Sequence, residues 1–76
     1  MNTEQLVKQI NLLIEEYSEE FGSNPAILYL DNVNYHKLTF LMQERGLTGR
    51  TLSGKPVWER LVVFKVDVLE DHVNVS

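Results

Sequence analysis

The stretch with the most chemistry in it is Gly49-Arg50-Thr51-Leu52-Ser53-Gly54-Lys55-Pro56. It follows the phosphate-loop spacing G-x-x-x-x-G-K up to its last position, where a Ser or Thr hydroxyl would hold magnesium. Pro56 stands there instead, with neither a hydroxyl nor an N–H to offer a phosphate. The surroundings disagree as well. A phosphate loop follows a strand and opens a helix, whereas this one follows a helical pattern and opens a strand-like one. A simpler anion contact is conceivable, because Arg50, Lys55 and Arg60 lie near Trp58, and a nucleic-acid backbone needs positive charge while its bases need a ring to stack on. Against it, residues 25–76 carry six bases and six acids, which leaves no net basic footprint. Nucleic acid is not the expected partner.

The opposite charge is concentrated elsewhere. Residues 1–24 hold five Glu against Lys8, and Glu15, Glu16, Glu19 and Glu20 crowd the end of the first helical pattern. There the helix dipole is already negative, so acidic side chains are mildly unfavourable. A basic partner, or the basic loop of this chain or of a neighbouring subunit, would offset that cost; a solvated acidic face is the plainer reading.

Catalytic groupings are missing. His36 and His72 have no Cys, His or carboxylate at zinc-ligand spacing. His72 follows Asp71, but neighbouring residues of a strand point to opposite faces, so the pair is not a base and its orienter. Ser23, Ser53 and Ser76 lack a glycine-framed elbow. The sequence therefore predicts a protein that is not an enzyme, with no catalytic residue, no cofactor and no metal.

The elements that would position these side chains follow from periodicity. Val7, Ile10, Ile14, Tyr17 and Phe21 recur at threes and fours, widened by Leu6 and Leu13, which marks an amphipathic helix. Asn2 with Gln5 makes a capping-box pair at its start, and Gly22 ends it ahead of Ser23-Asn24-Pro25. Ala26-Ile27-Leu28-Tyr29-Leu30 is a short apolar run between turn formers and reads as a buried central strand. Asp31 and Asn32 are natural caps for a second helix from about Val33 to Arg45, with Tyr35, Leu38, Leu41 and Met42 on one face and Gly46 as its stop. Phe40 falls off that stripe, as a helix-edge packing residue or a contact residue. Residues 47–56 form a loop or loose hairpin. Val57 to Val68 reads as one long strand with apolar residues on both parities, including Phe64 and Val66. Leu69-Glu70-Asp71 then turns into a half-exposed last strand, His72 to Ser76.

The expected architecture is one α+β domain over residues 1–76, in the order α-β-α-β-β, with two helices packed on one face of a three-stranded sheet. A chain of 76 residues holds a small core, typically yielding about 3–5 kcal/mol of net stability, and self-association is a ready way to add to it. The two-sided strand points the same way, since its second face lacks a helix. The expected partner is another copy, as a homo-oligomer, or another protein, meeting Glu15, Glu16, Glu19, Glu20, Phe40, Phe64 or Val66. The N-terminal segment lacks the basic and uninterrupted apolar regions of a signal peptide, and no run reaches the roughly 20 apolar residues of a membrane span. A cytoplasmic location is expected.

Taken together, the first helix, Asn24-Pro25-Ala26-Ile27-Leu28-Tyr29-Leu30, the helix bearing Tyr35 and Leu38, the Gly54-Lys55-Pro56-Val57 step and the closing strand resemble the central axial-domain segment of tailed-phage major capsid and related shell proteins. The likeness spans roughly residues 5–75. It implies a stand-alone version of that small α+β unit, in a phage- or prophage-derived accessory protein. The arm, long spine helix and peripheral domain of those proteins have no counterpart here, so shell formation is not implied and no functional residue carries over.

Overall fold

The computed structural model describes residues 1–68 and 71–76. Helix α1 runs Thr3–Phe21, strand β1 Ile27–Asp31, helix α2 Asn32–Glu44, and strands β2, β3 and β4 cover Val57–Trp58, Leu61–Val66 and Val73–Val75. The class is α+β, as expected. The sheet has four strands rather than three, in the order β2-β3-β1-β4. The first two residues of the expected Leu69-Glu70-Asp71 turn lie outside the described residues.

Both helix starts form as their residues dictate. Asn2 accepts the Gln5 N–H at 2.8 Å while the Gln5 side chain accepts the Asn2 N–H at 2.8 Å, so two otherwise orphaned donors are satisfied reciprocally. Gly22, at φ 68°, closes α1 by donating its N–H to the Ser18 carbonyl. The stripe of α1 buries Leu6 and Ile10 completely, with Val7 and Ile14 packed beside them. Phe21, the last residue of the expected stripe, is 60% exposed rather than buried.

The expected long strand breaks in two at Glu59-Arg60. Trp58 pairs with Leu61 and Val57 with Val62 in an antiparallel hairpin, and the two linking residues both take positive φ, 45° and 74°. That is the backbone of a two-residue primed turn, whose hand matches the strand twist but which normally recruits Asn and Gly. Neither is present, so local turn chemistry gives no sign of it. What holds it is tertiary: Trp58, Leu61 and Val63 are all buried in one cluster with Leu38 and Met42.

β1 and β3 run parallel, Ile27 opposite Val62 and Tyr29 opposite Phe64, while β4 returns antiparallel with Leu28 opposite Val75. The two parallel strands therefore lie at the centre, which suits their apolar runs. Leu28, Leu30, Leu61 and Val63 point to the helices and are at most 2% exposed. Their neighbours Ile27, Tyr29, Val62 and Phe64 point the other way.

Candidate functional site

A buried polar pair, Asp31 and Asn34, stands where β1 hands over to α2. Asp31, 4% exposed, accepts the N–H groups of Val33 and Asn34 on Oδ2 and caps the helix. Its Oδ1 accepts the backbone N–H of His72 at 3.0 Å and the Asn34 side-chain amide at 2.6 Å. That amide also donates to Asp71 at 3.1 Å, and the Met1 ammonium lies 3.7 Å from Asp71 Oδ2. Burial pushes the Asp31 carboxyl up, but the hydrogen bonds from His72, Asn34 and Val33 outweigh it and hold its pKa below the ordinary value. The arrangement is a clasp: it fixes the start of α2 and the entry of β4. His72 contributes its backbone rather than its ring, and among the described residues no group of three His, Cys, Asp or Glu converges as metal ligands would.

The sheet's second face is a different kind of surface. Cross-strand neighbours share a face, so Val57, Val62 and Ile27 form one row and Phe64, Tyr29 and Asn74 the next. Val66 follows beside Phe64. The Tyr29 and Phe64 rings are 5.9 Å apart, and the Lys55 ammonium sits 4.7 Å from the Phe64 ring centre, a cation–π contact. The apolar members are half-buried by one another. Both helices occupy the other face, where the buried cluster lies.

The residues singled out in the sequence do not form one site. Phe64 and Val66 lie on the open face. Ile27, Tyr29, Val57 and Val62, which complete it, could be recognised only with the long-range β1–β3 register in hand. Phe40 is 64% exposed on α2 beside Val33, 57% exposed, where Thr3, His36 and Lys37 help to shape a shallow depression. Glu15, Glu16, Glu19 and Glu20 are exposed on α1, and none forms a salt bridge among the described residues; the basic loop of the same chain does not neutralise them. The anion group comes apart. Trp58 is 2% exposed on the helix side of the sheet, so its ring is closed to any base arriving from solvent. Lys55 is on the opposite side over Phe64, Arg50 bridges Pro56, and Arg60 sits in the β2–β3 turn. Trp58 is corrected from a stacking platform to a core residue.

No protein-family model, curated protein or solved structure matches the chain, so its function is argued from its own geometry.

Proposed function

We propose that this chain is a non-enzymatic protein-interaction domain that self-associates through the uncovered face of its sheet. The observation that carries the proposal is the apolar face of Ile27, Tyr29, Val57, Val62, Phe64 and Val66, which lies opposite both helices. A twofold dimer would set this patch against itself, as isologous interfaces do. Size sets the strength. The sixteen strand residues, each covering about 3.3 Å by 4.8 Å, give a face of roughly 250 Å² in projection. A stable interface buries about 800 Å² on each partner, so the expected dimer is weak and reversible, in the micromolar range.

The resemblance to shell-protein axial domains belongs to the same reading: a phage- or prophage-derived accessory protein that works by contact rather than catalysis. No described helix is long and apolar enough to cross a membrane, and cytoplasmic residence is part of the proposal. Sedimentation equilibrium over a hundredfold concentration range tests the central claim. A monomer–dimer equilibrium that Phe64→Asp abolishes supports it; a strict monomer up to millimolar concentration overturns it.

A further inference from the structure

β4 is an edge strand with a regular set of backbone groups that no described strand uses. Ile27 and Ser76 exchange both hydrogen bonds, at 2.9 Å each, and the Asp31 N–H reaches the His72 carbonyl at 3.1 Å. In an antiparallel ladder the hydrogen-bonded pairs alternate, so His72, Asn74 and Ser76 turn their polar groups toward β1. Val73 and Val75 turn theirs outward, and no described strand lies beyond them. Such an edge is a template for another strand.

Beside the edge runs a groove of about 420 Å³ between β4 and the C-terminal half of α1. Leu13, Tyr17 and Phe21 give it an apolar wall, the two rings 4.5 Å apart, and Glu16 and Glu20 line it as well. Glu15 and Glu19 stand close by on the same helix, the last turn of α1 holds no base, and the helix dipole adds negative potential at that end. A second copy of this chain is a poor occupant: its β4 edge, Val73-Asn74-Val75, carries no positive charge, pairing two β4 edges would bring the acidic halves of two α1 helices together, and the outer side of its β2 edge is already engaged, the Val57 N–H bonding the Gly49 carbonyl and Arg50 bridging Pro56. An extended basic segment meets every one of these features.

We propose that an extended segment of a partner protein, alternating apolar and basic residues, adds to β4 as a fifth strand in this groove. Its backbone bonds the outward groups of Val73 and Val75, and its Lys or Arg side chains, all on the α1 side of the strand, lay their aliphatic stems against Tyr17 and Leu13 and set their charges against Glu16 and Glu20; the apolar residues between them face the other side of the sheet. This is strand addition with side-chain pockets supplying selectivity. The surface differs from the open sheet face, so the two proposals fail separately.

The test is a titration of the isotope-labelled full chain, followed by amide NMR, with a blocked decapeptide alternating Arg and Val. The expected result is saturable binding with the largest shifts at Val73, Val75 and the C-terminal half of α1, and slowed exchange of the Val73 and Val75 N–H groups. The pair Glu16→Lys and Glu20→Lys should weaken binding at least about tenfold at low salt, and added salt should weaken binding to the parent chain. Lys at a helix C-terminus favours the helix, so these variants should stay folded. Of two peptides N-methylated on alternate residues, the one whose methyl groups face β4 should not bind, and the one whose methyl groups face away from it should. Equal binding by an alternating Glu and Val peptide, indifference to the charge reversal, shifts confined to Tyr29 and Phe64, or no binding at millimolar peptide would each overturn the proposal. So would shifts at Val73 and Val75 on concentrating the protein alone, which would give the edge to a second copy.

Discussion

The carboxylate of Asp31 accepts the backbone N–H of His72 at 3.0 Å, so the residue that starts α2 also positions the last strand. A helix cap's own carbonyl is committed to the first helical hydrogen bond. In an antiparallel ladder that carbonyl would have received the His72 N–H, and the side chain takes its place. Because four donors converge on one buried carboxylate, the clasp joins β1, α2 and β4 in a single polar contact.

Acid should loosen the protein through this clasp. The folded Asp31 pKa lies below the ordinary value of 3.8, so the ionised carboxylate stabilises the fold fully above that value. The contribution is lost as pH falls through the depressed folded pKa. Urea unfolding measured from pH 6 to pH 2 should show stability falling below about pH 4, with a smaller fall in Asp31→Asn. Asp31→Ala, which strands its donors, should cost about 2 kcal/mol or more at pH 7.

The Glu59-Arg60 turn holds two side chains in the left-handed region, at φ 45° and 74°. Replacing the pair by Asn-Gly relieves that strain without touching the core. The double variant should gain about 1–2 kcal/mol, raising Tm by about 4–8 °C for each kcal/mol in a domain of this size. Thermal unfolding followed by circular dichroism checks it; no gain would mean that the turn is not strained.

Trp58 packs in the core with its indole N–H unpartnered among the described residues. An orphaned buried donor costs about 1–3 kcal/mol. Trp58→Phe should therefore stay within about 1 kcal/mol of the parent, since lost packing is offset by removing the donor. Trp58→Ala should cost about 3–5 kcal/mol, enough to unfold a domain this small. Chemical denaturation of the two variants separates packing from polarity.

Phe64 and Phe40 offer a paired test of which surface associates. Either, changed to Asp, should leave the domain folded, because neither belongs to the buried cluster. Only Phe64→Asp should raise the dimer dissociation constant, by more than about tenfold. The reverse ranking in sedimentation would move the interface to α2 and its Val33–Phe40 patch.

Much of the fold was legible along the chain, where the determinants are local. The 3.6-residue stripes, the Asn2–Gln5 box, the Asp31 cap and the left-handed glycines at 22 and 46 each act over a turn of helix or less, and they appear where expected except that Phe21 ends its stripe exposed and α2 is shifted by one residue. The two-sided apolar character of β1 and β3 was visible too, as was the acidity of α1. The hairpin inside the expected long strand was not, because Glu59 and Arg60 carry no turn signal and only packing around Trp58 and Leu61 stabilises the reversal. The same reversal took Trp58 from a surface reading to the core. Which face stays open, which edge keeps free N–H and C=O groups, and which of six open-face residues meet all depend on β1 pairing with β3 and β4. Those contacts span about thirty-five to fifty residues of chain. Pairing at such separations is chosen by the burial of the whole core, so only the tertiary structure could decide it.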